Sequence, residues 1–199
     1  MNIGDKIPEV LGFDASGREV KASDFAGKKL VIYFYPKDNT PGCTAEACSI
    51  SAGYGALRKA GYEIVGVSKD SAVSHQKFAA KHELPFTLIA DTDLKLNEAF
   101  GVWREKKMCG RAYMGTVRTT FVTDEEGVIT HIITKVNTND AANQILALST
   151  TLKTTAYAHP LLFHSRLPCF GNFRFCTKSG HRYTHLQQEH SFAENCARR

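Results

Sequence analysis

Apolar residues fall in short dense runs separated by polar turns. The run Leu30-Val31-Ile32-Tyr33-Phe34 has no polar alternation at all, which marks a strand buried on both faces, and we place that core strand over Leu30 to Tyr35. Ahead of it, Val10 to Phe13 and Arg18 to Lys21 flank Asp14-Ala15-Ser16-Gly17, a turn-rich stretch that predicts a hairpin before the main sheet. Behind it, Thr44 to Ala60 reads as a helix closed by Gly61 and weakened by Gly53 and Gly55. Glu63 to Val67 then reads as a strand, Val73 to His82 as a helix, Phe86 to Ala90 as a strand and Leu94 to Phe100 as a helix. Tyr113-Met114-Gly115-Thr116 reads as a glycine-containing loop. Val117 to Thr123 and Val128 to Lys135 flank Asp124-Glu125-Glu126-Gly127 as a hairpin, and Asp140 N-caps a last helix to Leu148. Strands alternating with helices, ending in a hairpin and a helix, predict an α/β fold with a central mixed sheet covered by helices.

The pattern stops near Leu148. Beyond it there is no Val or Ile and no sustained helical or alternating period that would build a core, so residues 1–149 form the expected domain and 150–199 a disordered extension without a specific function. The charge divides at the same place. Residues 151–199 carry 7 Lys and Arg against 2 Asp and Glu, whereas residues 1–150 carry 18 of each, so the net +5 belongs entirely to the tail. The balanced domain gives no support to nucleic-acid binding. In the tail, Cys169, Cys176, His181 and His185 offer four possible zinc ligands, and a zinc or nucleic-acid binding module there is the alternative from another class. Their spacing, Cys-x6-Cys-x4-His-x3-His, lacks the usual short cysteine pair.

The start, Met-Asn-Ile-Gly-Asp-Lys, lacks the charged stretch and apolar segment of a secretory signal, and no apolar run approaches membrane-spanning length. A cytoplasmic protein is expected, without a membrane partner. In that reducing compartment the cysteines are expected to be catalytic or metal-binding before they are structural bridges.

The chemistry concentrates in Tyr35 to Cys48, Tyr-Pro-Lys-Asp-Asn-Thr-Pro-Gly-Cys-Thr-Ala-Glu-Ala-Cys, directly after the core strand. Pro36, Asn39, Pro41 and Gly42 force a loop, and a helix is expected from Thr44. Cys43 therefore sits where loop becomes helix, where free backbone N–H groups and the positive end of the helix dipole favour a thiolate. Cys48 follows five residues later; at helical rise and twist the two Cα atoms lie roughly 8 to 9 Å apart, beyond disulfide reach unless the helix unwinds. Taken alone, a Cys-x4-Cys reads first as a pair of small buried helix residues. Arg118 alone reads as a surface residue at a strand end, Thr40 as a turn hydroxyl and Glu46 as a helix-dipole residue.

Pro36, Thr40 and Cys43 together form Pro-x3-Thr-x2-Cys, and this resembles the active-site loop of the peroxiredoxins. With Glu46-Ala47-Cys48 it is similar to the peroxiredoxin Q, or bacterioferritin-comigratory-protein, subfamily. The resemblance continues through Gly66-Val67-Ser68, Asp70-Ser71, Ser74-His75, Leu84-Pro85-Phe86, Asp91, Phe100-Gly101-Val102 and Arg118-Thr119-Thr120-Phe121, and covers roughly Met1 to Leu148. It implies a thioredoxin-like fold and a thiol-dependent peroxidase acting on hydrogen peroxide and organic hydroperoxides. By that likeness Cys43 is the peroxidatic nucleophile and Cys48 the second cysteine, forming an intramolecular disulfide recycled by thioredoxin or a similar dithiol. Thr40 would bind the peroxide, Pro36 would shield Cys43 and Arg118 would be the active-site arginine. Glu46 would help hold the loop, while Ser74 and His75 read as helix-start residues. No metal or organic cofactor is required, and a monomer is expected. Cys109 and Arg104 depart from the family pattern without touching the proposed chemistry. The rival within enzymes is a thiol–disulfide oxidoreductase using the same pair, against which Pro36 and Thr40 count.

Overall fold

The computed structural model describes residues 1–108 and 111–155. Met1–Thr150 is one compact unit built on a five-stranded sheet. Strand β3 (Lys29–Phe34) lies at its centre, flanked on one side by β4 (Tyr62–Ser68) and then β5 (Thr87–Ala90), both parallel. On its other side lie β8 (Thr119–Thr123), antiparallel to β3, and then β9 (Ile129–Ile133), antiparallel to β8. The parallel half needs crossovers, supplied by helices α1 (Pro41–Lys59) and α2 (Ala72–His82). A small hairpin of β1 (Val10–Phe13) and β2 (Glu19–Lys21), a second of β6 (Trp103–Met108) and β7 (Arg111–Thr116), and helix α3 (Lys95–Ala99) also belong to the unit, and helix α4 (Ala141–Thr155) begins in it.

Alternation along β3 divides the core in two. Val31, Tyr33 and Tyr35 face α1, α2 and α4, meeting Ile50, Leu57, Phe78 and Ile145. Leu30, Ile32 and Phe34 face the opposite layer, meeting Leu11, Val20, Leu96 and Phe100. Every residue from Leu30 to Tyr35 is at most 1 % exposed, which is why the run carries no polar position.

The predicted α/β architecture with a central mixed sheet is the observed one, with three corrections. Helix α1 begins at Pro41, not Thr44, because proline is accommodated in the first turn, where its missing donor costs nothing. Tyr113-Met114-Gly115-Thr116 is not a loop but part of β7, paired with β6 in an antiparallel ladder from Trp103 opposite Thr116 to Met108 opposite Arg111. The charged run Arg104-Glu105-Lys106-Lys107 hid that hairpin, since neither face of it shows an apolar period. Helix α4 runs to Thr155, past the expected helix end at Leu148. The glycines of α1 also have different roles. A Cβ at Gly53 would stand 2.4 Å from the Cβ of Ala142, so Gly53 permits the close crossing of α1 and α4, while Gly55 faces open space. Cys109, Cys169, Cys176, His181, His185 and Cys196 lie outside the described residues.

Candidate active site

Strand β3 delivers the site. The Tyr35 N–H bonds the Val67 carbonyl at 3.1 Å, and Pro36, having no N–H, cannot continue the ladder, so the chain leaves the sheet there. Asn39 turns through the left-handed region at φ 55°, and Thr40 becomes the N-cap of α1. Its hydroxyl does not cap the helix but donates to the Lys37 carbonyl at 3.0 Å. The first intrahelical bond is Thr44 N–H to Thr40 C=O at 2.8 Å, so the N–H groups of Gly42 and Cys43 precede the helical ladder. Cys43 lies in this first turn, 1 % exposed and a free thiol.

Arg118 reaches the sulfur from the neighbouring strand. Phe34 stands opposite Thr119 in the β3–β8 ladder, so the residue before β8 falls beside the exit of β3. From there the Arg118 Nη2 donates to Cys43 Sγ at 3.1 Å, while Nη1 donates to the carboxylate of Glu46 on α1. One guanidinium thus joins thiol and carboxylate, using the planar fork that a lysine lacks. The structure therefore brings Arg118, Cys43 and Glu46 into contact and holds Pro36 and Thr40 on the same loop.

Burial is unequal within this group. Glu46 is fully buried while the Arg118 side chain keeps 21 % exposure, so the cost of desolvation falls on the carboxylate. Burial raises its pKa from the ordinary 4.5 to about 7, even though the charge and hydrogen bond of Arg118 pull the other way. Among the described residues Glu46 Oε1 has no hydrogen-bond partner, and neither has the buried Tyr33 hydroxyl. That phenol is itself held well above its usual range, first by burial and then by the charge of Glu46.

The linkage sign follows from these directions. Between about pH 4.5 and 7 the folded state holds a proton that the unfolded state has lost, so this carboxyl lowers stability as pH rises through that window. Glu46→Gln removes the effect. The variant's melting temperature should gain on the native chain between those pH values and hold a constant lead above pH 7; the full span corresponds to about 3 kcal/mol. A difference that does not change with pH would contradict this titration.

Cys48 follows on α1, half-buried, with its sulfur 3.9 Å from His82 Nδ1 on α2. Since Cys43 is a free thiol, the two are not joined to each other in this structure. His82 is held below the usual histidine range, first by burial and then by Lys81.

Sequence reasoning missed a second polar group beside the first. Asp38, 5 % exposed, accepts from Tyr35 Oη at 2.8 Å and Ser74 Oγ at 2.6 Å, and pairs with His75 Nδ1 at 2.9 Å. Burial alone would raise the Asp38 pKa, but the bonds from His75, Ser74 and Tyr35 outweigh it and hold the carboxyl below its usual value. Ser74 and His75 carry the signature of a helix start, and α2 is N-capped by Ser71. Only their position facing the loop reveals the other use, and no local pattern encodes that. No group of three or more His, Cys, Asp or Glu among the described residues is arranged to hold a metal ion.

Residues 3–132 match the AhpC/TSA family. The chain is 44% identical over 146 residues to the peroxiredoxin Bcp of Bacillus subtilis, covering 73% of this chain and 93% of that one. It is 42% identical over 146 residues to a putative peroxiredoxin bcp of Coxiella burnetii, covering 73% and 97%. Among solved structures, the bacterioferritin comigratory protein of Xanthomonas campestris, described for alkyl peroxide reduction, aligns with a TM-score of 0.67. That alignment has 37% identity and covers 74% of this chain and 99% of that one. A peroxiredoxin Q structure from the same organism aligns with a TM-score of 0.66 at 40% identity, covering 70% and 88%. With its thiol under a guanidinium at a helix start, a family match over residues 3–132 and these relatives, the chain belongs to the AhpC/TSA family and is a peroxiredoxin of the Bcp and Q type, a peroxidase among the oxidoreductases.

Proposed function

We propose that this thiol peroxidase reduces hydrogen peroxide and organic hydroperoxides at Cys43, with Cys48 as the second thiol and thioredoxin or a similar dithiol as reductant. The observation that carries the reading is the 3.1 Å contact from Arg118 Nη2 to Cys43 Sγ in the first turn of α1. A donor cation and free helix N–H groups favour the thiolate and the charge that develops on peroxide oxygen. Thr40 spends its proton on the Lys37 carbonyl, which leaves its oxygen to accept a hydrogen bond from the peroxide. Pro36 shields the sulfur from bulk water.

The Cys43 thiolate attacks the terminal, hydrogen-bearing oxygen of R–O–O–H; an S–O bond forms, the O–O bond breaks, and the departing R–O oxygen takes a proton to leave as water or alcohol. Cys43 is then a sulfenic acid. The Cys48 thiolate attacks its sulfur, hydroxide leaves as water, and a disulfide remains for an external dithiol to reduce by exchange. Both cysteines belong to α1, so this disulfide requires the helix to open at its start.

Fully reduced protein given one equivalent of hydrogen peroxide should yield a Cys43–Cys48 peptide on mapping and lose helical circular dichroism in proportion. A Cys43 link to any other cysteine would overturn the pairing. Catalytic consumption of hydrogen peroxide with thioredoxin and its reductase tests the reductant, and turnover with dithiothreitol but none with thioredoxin and its reductase would exclude thioredoxin. No helix among the described residues is long and apolar enough to cross a membrane.

A further inference from the structure

The loop that carries Thr40 has an anchor of its own. Asp38 is tied on both its ends. Its carboxylate receives Tyr35 Oη, Ser74 Oγ and His75 Nδ1, and its own N–H donates to Asp70 Oδ2 at 2.7 Å. Asp70 in turn accepts from Ser68 Oγ at 3.0 Å, and His75 Nε2 faces the Ile89 carbonyl at 3.1 Å. The loop is thereby fastened to the end of β4, to β5 and to the first turn of α2. These are elements of the fixed scaffold, whereas α1 is the element that must open.

The residues on either side of Asp38 give the anchor its consequence. Lys37 supplies the carbonyl that holds the Thr40 hydroxyl, and Asn39, in the left-handed region, is the turn between anchor and helix. A non-glycine residue held at φ 55° persists because its neighbours fix it. We propose that Asp38, clamped by Ser74 and His75, is a positioning residue: it sets the Lys37 carbonyl, which aims the Thr40 oxygen at the peroxide. This rests on the peroxidase reading of Cys43 and assigns the substrate-orienting geometry to residues that touch neither substrate nor sulfur.

The test separates orientation of peroxide from exposure of the thiolate. Hydrogen peroxide needs Thr40, whereas alkylation of Cys43 by iodoacetamide does not. Asp38→Asn should slow peroxide oxidation by about ten- to a hundredfold, the scale of an ångström-level misplacement, and leave the alkylation rate within about threefold. In a Thr40→Val background the same replacement should add less than about threefold, because the route it acts through is already gone. If Asp38→Asn does not fold, Ser74→Ala removes one donor and carries the same comparison with a smaller loss. Rates for peroxide and iodoacetamide falling together, or equal losses in both backgrounds, would overturn the anchor. A native chain whose Cys43 ignores hydrogen peroxide would overturn the peroxidase reading and the anchor with it. A reactive native chain matched by Asp38→Asn and Ser74→Ala overturns the anchor alone.

Discussion

Cys43→Ser is expected to lower hydrogen peroxide consumption by at least about a thousandfold while the protein stays folded, because the hydroxyl that replaces the thiol is not ionised near neutral pH and cannot attack the O–O bond. The structure explains why the fold should survive. Cys43 is fully buried, but its one polar side-chain contact among the described residues is the donor Arg118 Nη2, and a serine oxygen accepts such a bond at least as well as sulfur. Arg118 keeps its pair with Glu46, so no buried charge is left alone. The loss in melting temperature should therefore be a few degrees, the effect of a smaller side chain in a packed first turn. Peroxide consumption with saturating thioredoxin, measured beside thermal unfolding of the same samples, checks both halves. Retention of a tenth of native turnover would remove Cys43 as the nucleophile.

How far the sequence carries depends on whether a feature is local. The buried strand over Leu30 to Tyr35 could be read because every side chain in it is inside, and the hairpins around Asp14 and Asp124 because their turns are made of turn residues. Cys43 was legible for the same reason, since prolines, a glycine and the helix start all lie within a few positions of it. Arg118 was legible only through resemblance: its meeting with Cys43 depends on the register that sets Thr119 opposite Phe34, and no stretch of sequence states a register. Asp38, Ser74 and His75 were missed on that account too, their contacts spanning 36 and 37 positions. The β6–β7 hairpin failed differently, because its charged face gives no apolar alternation to read. Glu46 was seen as a dipole residue on the strength of its place near the helix start. Its full burial inverts the expected electrostatics and places its titration near neutral pH.

Arg118→Ala should cost about a hundred- to a thousandfold in peroxide oxidation, the scale for removing a preorganised donor aimed at developing charge. The side chain is lost from two partners at once. Cys43 Sγ loses the donor 3.1 Å away, and with it the cation that faces the attacking sulfur. Glu46 loses both influences that hold its pKa down, and a fully buried carboxyl already raised to about 7 must then rise further and stay neutral through the physiological range. That proton uptake limits the damage to the fold, so the variant should be least destabilised in acid and most in alkali. Arg118→Lys restores a charge but not the fork, and one ammonium cannot hold sulfur and carboxylate in the same plane, so it should recover only part of the rate. The discriminating measurement is the second-order rate of Cys43 oxidation by hydrogen peroxide at a pH high enough to ionise the thiol in all three chains. A loss that vanishes there would leave Arg118 as a thiolate stabiliser only, whereas a loss that persists places the guanidinium on the peroxide in the transition state. Rates for Arg118→Ala within about threefold of native at every pH would remove it from the site altogether.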